Sequence, residues 1–396
     1  MGITLNNDQI YASMKIESWW KSSTGDQVFE LDGPAGSGKT TLIMSLIEKI
    51  GLSLDDVLFV AYMGKAASQM QRNHLPAQTI HSSIYDCVMV YDRDENGHIQ
   101  FTTNNKPKKK LEFKLKEKIH GKPKLIVVDE GFMVPENIAL DLLSFGVPVI
   151  VLGDTHQLPP VFGKPFFLNN PDYSLTEIMR QNEGSPIIYI SQLLLKHQMP
   201  KYGVYGNSSV IHKNELTDYH LKHSDIVITG TNRLRKEIND LFREEFCNIS
   251  HLEYPNYGEK IICRRNNWGK KIHDKGDIYL TNGLSGYVDY VSPESFTKDK
   301  ISIDFRPDFT KKVFRDLKVS IPYLDRRLGV DEISYIPPGI DRFEYAYAIT
   351  THLSQGSQWE NVVFLKEDNF FNNQDDYFRL LYTAVTRASE SIIWVS

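Results

Sequence analysis

Residues 33–41, Gly33-Pro34-Ala35-Gly36-Ser37-Gly38-Lys39-Thr40-Thr41, match the phosphate-binding pattern G-x-x-x-x-G-K-[ST] without a substitution. Glycines let successive backbone N–H groups turn inward around phosphate oxygens, and the N-terminal end of the following helix favours negative charge. Lys39 is expected to reach the outer phosphates, and the Thr40 hydroxyl to join a Mg²⁺ shell. The plainer reading, a glycine turn between a strand and a helix, accounts for the glycines alone. Nucleoside triphosphate binding is therefore the expectation for Gly33, Pro34, Ala35, Gly36, Ser37, Gly38, Lys39, Thr40 and Thr41.

Two further strings supply groups that hydrolysis needs. Leu125-Ile126-Val127-Val128-Asp129-Glu130 is an apolar run ending in two carboxylates. Parallel strands deliver their ends to one crevice, so this ending can face the loop. Asp129 is expected to hold Mg²⁺, directly or through water, and Glu130 to polarise the attacking water. Val151-Leu152-Gly153-Asp154-Thr155-His156-Gln157-Leu158-Pro159-Pro160-Val161 carries another strand to the same place. There the Gln157 amide can sense a γ-phosphate or orient water, and the prolines stiffen the exit. A structural turn explains the prolines equally well, but not the whole string.

Positioning these groups takes alternating strands and helices. Residues 28–31 read as a short buried strand ahead of the loop, and Leu42, Ile43, Leu46, Ile47 and Ile50 recur behind it at helical spacing. Further strand-like runs fall at residues 57–61, 125–128 and 147–152, then at 226–229, 361–365 and 392–395. The simplest reading is two tandem α/β domains, residues 1–183 and 184–396, each a parallel sheet with flanking helices. Two segments break the pattern. Residues 86–123 hold a hairpin candidate, in which 88–91 and 98–101 flank a turn ending in Asn96-Gly97. Residues 284–340 are β-rich, carry Pro293, Pro307, Pro322, Pro337 and Pro338, and read as a second small insert.

Composition narrows the class. With 396 residues, 41% hydrophobic and 24% charged, the chain is an ordinary globular protein with room for large cores. No apolar run is long enough to cross a bilayer, and residues 1–7 lack the basic and apolar blocks of a secretion signal. Cys87, Cys247 and Cys263 lie far apart, without metal-ligand or redox spacing, as expected of buried thiols in a reducing cytoplasm. A net charge of -5 argues against a non-specific nucleic-acid coat. Yet Lys106, Lys108, Lys109, Lys110, Lys114, Lys116, Lys118, Lys122 and Lys124 crowd one segment. A solvated surface helix or arm is the default for such a run, with a local phosphate-binding channel the alternative.

At this point the chain resembles the superfamily 1 helicases, on the RecD and phage Dda side of that family. To the strings above it adds Gln9 ahead of the first strand, Gly64-Lys65-Ala66-Ala67, Thr79-Ile80-His81 and Leu175-Thr176-Glu177-Ile178-Met179-Arg180-Gln181. Thr351-His352-Leu353-Ser354-Gln355-Gly356 and Leu381-Tyr382-Thr383-Ala384-Val385-Thr386-Arg387-Ala388 complete the series, in the family's order and almost end to end. Gly258-Glu259-Lys260-Ile261 followed by Asn282-Gly283-Leu284-Ser285-Gly286 resembles the family's lead-in to a small barrel insert. Gln355-Gly356 favours the RecD and Dda side over the Rep and UvrD side, where Lys-Gly is usual. Gly131-Phe132 departs from the small pair common after the two carboxylates.

The resemblance implies two tandem RecA-like domains with a hairpin-like and a small barrel-like insert. Gln9 would read the adenine edge, although a polar residue beside a helix cap is the simpler view of Asn6-Asn7-Asp8-Gln9. Gly356 would belong to the ATP site, and Arg180 and Arg387 would act as arginine fingers on the γ-phosphate. Lys65, Thr79, His81, Asn232, His352 and Ser354 match positions near the family's single-strand track, where contacts to backbone phosphates carry no sequence information. Trp359 and Phe101 are candidates for stacking on bases, and Phe101 for strand separation at a pin within the first insert. The implied activity is ATP-dependent, Mg²⁺-assisted unwinding of DNA with 5′ to 3′ movement. Its partners are single-stranded and forked duplex DNA, with single-strand-binding or replication proteins as candidates, and no membrane. The chain resembles a minimal monomeric motor of the kind phages encode, acting in a host cytoplasm. A strand translocase that displaces proteins without unwinding, and a nucleotide-gated loading module, are the competing readings.

Overall fold

The computed structural model describes residues 5–22, 25–72, 74–95, 97–101, 107, 109–159, 165–177, 185–247, 252–274, 277–325, 339–367 and 373–396. Arg180, Asn96, Pro160, Val161, Lys106, Lys108, Pro337 and Pro338 lie outside the described residues. Of Lys109 and Lys110 only the backbone is described.

A six-stranded parallel sheet forms the first lobe. Its order is Ala77–Thr79, Val57–Ala61, Leu125–Asp129, Val149–Gly153, Val28–Asp32, Tyr173–Ser174. Both faces are covered, so these strands read as continuous apolar runs. Leu42, Leu46 and Ile47 from helix Lys39–Lys49 pack on Leu31, Phe59 and Leu152 on one face. Ile138 and Leu142 from helix Glu136–Leu143 pack on Val60, Val128 and Val151 on the other. Register brings the functional ends level: Ala61 faces Asp129, Val128 faces Val151, and Asp32 faces Gly153. The phosphate loop, the carboxylate pair and Asp154 therefore leave the sheet at one edge.

The second lobe repeats the plan. Its order is Ala348–Thr350, Ile226–Thr229, Trp359–Leu365, Ala388–Val395, Ser208–Ile211, Gly203–Tyr205, parallel except for the last strand. Helices Pro186–Leu195 and Gln374–Val385 close one face around Trp394, Phe364 and Tyr382. The last of these helices points its C-terminal end, and hence Arg387, toward the first lobe. No helix among the described residues is long and apolar enough to cross a membrane.

Both irregular segments are β structure, with different partners from those expected. Tyr85–Tyr91 pairs along its whole length with Lys109–Leu115, not with residues 98–101. Among the described residues between them are two isolated bridges, Arg93 to Ile99 and Phe101 to Pro107. Alternation decides the outcome. The register sets Phe113 opposite Cys87 and Leu115 opposite Tyr85 on one face, with Lys114 opposite Asp86 and Glu112 opposite Val88 on the other. Residues 98–101 offer no comparable length. Part of the lysine run is thus an antiparallel strand, not a surface helix or loose arm.

The second irregular segment is a five-stranded antiparallel sheet, ordered Phe314–Ser320, Lys300–Pro307, Ser285–Ser292, Lys260–Cys263, Phe343–Tyr345, with a separate hairpin of Asn267–His273 and Asp277–Leu280. Its core centres on Phe305, Phe343 and Ile301, and it draws in two strands that lie outside residues 284–340. Buried ion pairs fasten it to the second lobe. Arg235 of helix Asn232–Leu241 meets Glu344, and Arg243 meets Glu259 at 2.7 Å while lying 4.0 Å from the Tyr345 ring centre.

Candidate nucleotide site between the lobes

Helix Lys39–Lys49 starts without a side-chain cap, because the cap residue Gly38 has no side chain to offer. Gly38 occupies the cap position at φ 79°, a left-handed conformation that glycine adopts without strain. Lys39 Nζ folds back on the loop and donates to Gly33 O at 2.6 Å and Pro34 O at 3.2 Å. Ser37 Oγ is buried in the loop without a hydrogen-bond partner. An oxyanion would satisfy that atom and recruit Lys39 as well.

Asp129 ends its strand beneath the loop and accepts from the Glu130 N–H at 3.0 Å. Glu130 itself sits at φ 51°, left-handed and strained for a residue with a Cβ. The departure at Gly131 has a steric cause: a Cβ there would stand 2.1 Å from Val151 Cγ1. Burial, then the adjacent Asp129 charge, pushes the Glu130 carboxyl up to about 7, while Arg387 and Lys39 pull it down. Burial also raises Asp129, against the attraction of Lys39. A carboxyl poised in this way suits a proton acceptor at neutral pH.

Arg387 comes from the other lobe. It is 5% exposed, and its guanidinium donates to Thr383 O at 3.0 Å, Ser357 O at 3.3 Å and Thr386 Oγ1 at 3.1 Å. None of these acceptors is charged. Burial lowers its pKa, while Glu130 and Asp154 hold it up across the cleft. This is a cation held near the carboxylates yet uncommitted to an ion pair.

A polar seam joins the lobes beside it. Asp154 accepts from Tyr382 Oη at 2.8 Å and Gln157 Nε2 at 3.2 Å, and lies 3.2 Å from His156 Nδ1. Burial pushes Asp154 up, but those hydrogen bonds and the charges of Lys39 and His156 carry it below its ordinary value. Gln157 Oε1 is buried and unpartnered, so its amide can still take a donor such as water. Leu158 N donates to Thr383 Oγ1 at 2.9 Å, and Gln355 Nε2 donates to Leu158 O at 2.6 Å. Tyr382 and Thr383 carry no expected role from the sequence, and Gln355 marks only the RecD and Dda side. The one signal was that Tyr382 stands on the same helix end as Arg387.

Gln9 shows the simpler of its two readings, that of a residue at a helix cap. It completes a capping box with Asn6, and its Nε2 donates to Ser37 O at 3.0 Å, which ties the first helix to the loop. Gly356, at φ 71°, lies against Ala66 on the interlobe seam and not on the phosphate loop.

The strand-track candidates are more scattered. Lys65 Nζ donates to Leu353 O at 3.1 Å across the lobes, and burial, with Arg264 nearby, brings its pKa down to about 7. Lys65, Trp359, Gly356 and Asp308 line one cleft between the lobes. Asn232 is exposed at the first turn of helix Asn232–Leu241. Thr79 caps the short helix Ile80–Ile84 by accepting from Ser82 N at 3.2 Å. His81 lies within a cluster of Tyr62, Tyr85, Phe113 and Trp268 and stacks on Trp268 at 5.8 Å; burial lowers its pKa, and likewise that of His352. Ser354 does not fit a strand contact: it is fully buried and donates to Thr351 O at 2.7 Å. Phe101 is 56% exposed beyond the paired part of the hairpin.

Known proteins carry the same plan. Residues 5–216 match the AAA domain family, more than half of the chain, and residues 345–395 match the UvrD-like helicase C-terminal domain. The chain is 26% identical to the ATP-dependent DNA helicase Pif1 of Campylobacter jejuni, covering 92% of this chain and 87% of that one. It is also 26% identical to the ATP-dependent RecD2 DNA helicase of Deinococcus radiodurans, covering 92% of this chain and 46% of that protein. An uncharacterised protein of Methanocaldococcus jannaschii is 25% identical over 91% of this chain, which spans only 36% of it. Pif1 helicase from Bacteroides in complex with ADP-AlF3 and ssDNA shares the fold, with a TM-score of 0.52 at 20% identity over 99% of this chain and 92% of that one. Two parallel-sheet lobes meeting at a phosphate loop, with an AAA domain in the first half and a UvrD-like helicase end, place the chain in the superfamily 1 helicase family.

Proposed function

We propose that the chain is an ATP-dependent DNA helicase that couples hydrolysis in the interlobe cleft to stepwise movement on a single strand. The observation that carries this reading is the split cleft. Lys39, Asp129 and Glu130 come from one lobe, while Arg387 approaches them from the other. Hydrolysis in such a cleft senses the distance between lobes, and a strand gripped by both is then advanced by opening and closing.

In this scheme the loop N–H groups and Lys39 hold the β- and γ-phosphates of ATP. Glu130 accepts a proton from the attacking water, and Gln157 orients that water through its free Oε1. Arg387 leaves its backbone acceptors for the γ-phosphate oxygens, where its charge counts most in the transition state. Arg180 is assigned the same role by its motif. Thr40 and Asp129 are hard oxygen donors that would hold Mg²⁺, which would supply neutralisation of the phosphate charge.

Lys65, Asn232 and His352 are the strand-side groups, with Trp359 in the cleft beside Lys65. The hairpin Tyr85–Tyr91 with Lys109–Leu115 serves as the pin that parts the duplex. Movement runs 5′ to 3′, the protein acts as a monomer in the cytoplasm, and forked DNA is its substrate. Duplexes with either a 5′ or a 3′ single-stranded tail test the direction: unwinding only of the 5′-tailed form is expected, and preference for the 3′ tail overturns it. Deleting residues 92–97 should abolish unwinding and leave strand-stimulated hydrolysis intact. A wild-type chain that hydrolyses ATP on single strands but opens neither duplex is a translocase instead.

A further inference from the structure

We propose that Tyr382 is a gate on the phosphate loop, its hydroxyl filling one of the loop's phosphate-binding positions until nucleotide displaces it. The proposal rests on the reading of Gly33 to Thr41 as the ATP site, but assigns a residue of the other lobe a role in that site. The Tyr382 hydroxyl accepts from the Ala35 N–H at 2.9 Å and donates to Asp154 Oδ2 at 2.8 Å. Ala35 lies within the stretch 33–41 read as the phosphate loop, and its N–H is taken by the second lobe. The side chain is 1% exposed, so the contact is made inside the packed seam and not by a loose surface group.

Three features make this a gate and not incidental packing. The bond is available only to a neutral hydroxyl, which can offer a lone pair to Ala35 and a proton to Asp154 at once. Burial, then the Asp154 charge, raises the Tyr382 pKa well above its ordinary value, so the group stays a hydroxyl. Second, Lys39 is folded onto Gly33 O and Pro34 O in the same structure, so the loop's cation and one of its N–H donors are both satisfied internally. Third, Tyr382 lies near the end of helix Gln374–Val385, and Arg387 follows that end immediately. A shift that withdraws the tyrosine hydroxyl moves the arginine with it. Phosphate arrival is thereby linked to repositioning of the second lobe, before any chemistry.

Removing the hydroxyl should make nucleotide binding easier, the opposite of what loss of an ordinary site residue does. Tyr382→Phe keeps the ring in the core and frees the Ala35 N–H. In the full chain without DNA, we expect ADP to bind about 2- to 10-fold more tightly than to wild type, as one net hydrogen bond allows. Adenosine, which has no phosphate, should bind equally to both. Thr383→Ala loosens the same seam by removing the acceptor of Leu158 N, yet leaves the Ala35 contact in place, so ADP affinity should not rise. Melting curves without nucleotide check that both variants are folded. ADP binding to Tyr382→Phe no more tightly than to wild type, equal tightening for adenosine, or tightening in Thr383→Ala would each overturn the gate. Wild type that binds no ADP at all overturns the nucleotide site itself, a separate failure.

Discussion

The nucleotide cleft and the strand-facing surface were both marked by motifs, yet they differ in how their residues are held. In the cleft, Asp154, Gln157 and Arg387 are nearly inaccessible and lie in one network of hydrogen bonds and charges. On the strand side, Thr79 caps a helix, His81 sits among aromatic rings, and Ser354 is sealed under Thr351. A group buried at the end of a parallel strand has few tasks open to it besides chemistry. A hydroxyl or imidazole near a surface helix has several, and local structure claims it first.

The sharpest way to break the comparison is at Glu130. Glu130→Gln keeps shape and hydrogen bonding but cannot accept the proton. ATP turnover should fall by about 10²- to 10⁴-fold with nucleotide affinity retained. Phosphate-release kinetics beside equilibrium ADP binding measure both, and normal turnover would remove Glu130 from its role. Arg387→Ala tests whether the second lobe completes the cleft. Its turnover should drop by about 10³-fold with ATP still bound, because the charge acts on the transition state. A drop below about tenfold would leave a one-lobed active site.

On the strand side the expected effects are smaller. Lys65→Met should lower single-strand affinity and reduce the salt dependence of binding by about 0.7 in log-log slope, the share of one phosphate contact. An unchanged slope would leave Lys65 to its bond with Leu353 O. Thr79→Ala should cost about 1 kcal/mol of stability through the lost cap, read from thermal or denaturant unfolding, with strand affinity unaltered. A clear loss of affinity in that variant would move Thr79 from cap to contact.

How much was legible follows the same division. The phosphate loop, the carboxylate-ended strand and the Asp154 string were readable because each couples a strand pattern to a residue set that only one edge of a parallel sheet can assemble. Alternating parallel strands also revealed both lobes. The hairpin was misread because Asn96-Gly97 is a strong local turn signal. The longer register between residues 85–91 and 109–115 depends on matching faces across a distance that local spacing does not report. The motif at residues 258–261 marked a lead-in to the insert, but that Lys260–Cys263 and Phe343–Tyr345 are strands of its sheet shows only in their pairing, because the partners are far apart in sequence. Tyr382 was hidden for another reason. A tyrosine on an apolar helix looks like core, and only the opposing lobe shows that its hydroxyl reaches Ala35.

The central claim is that hydrolysis in the split cleft is coupled to a strand held by both lobes. Steady-state ATP hydrolysis by the wild-type chain, with and without single-stranded DNA, tests it most directly. A rate that rises at least about tenfold with DNA, saturating as the strand binds, is the expected result. Equal rates with and without DNA would contradict it, and would leave a nucleotide site with no motor attached.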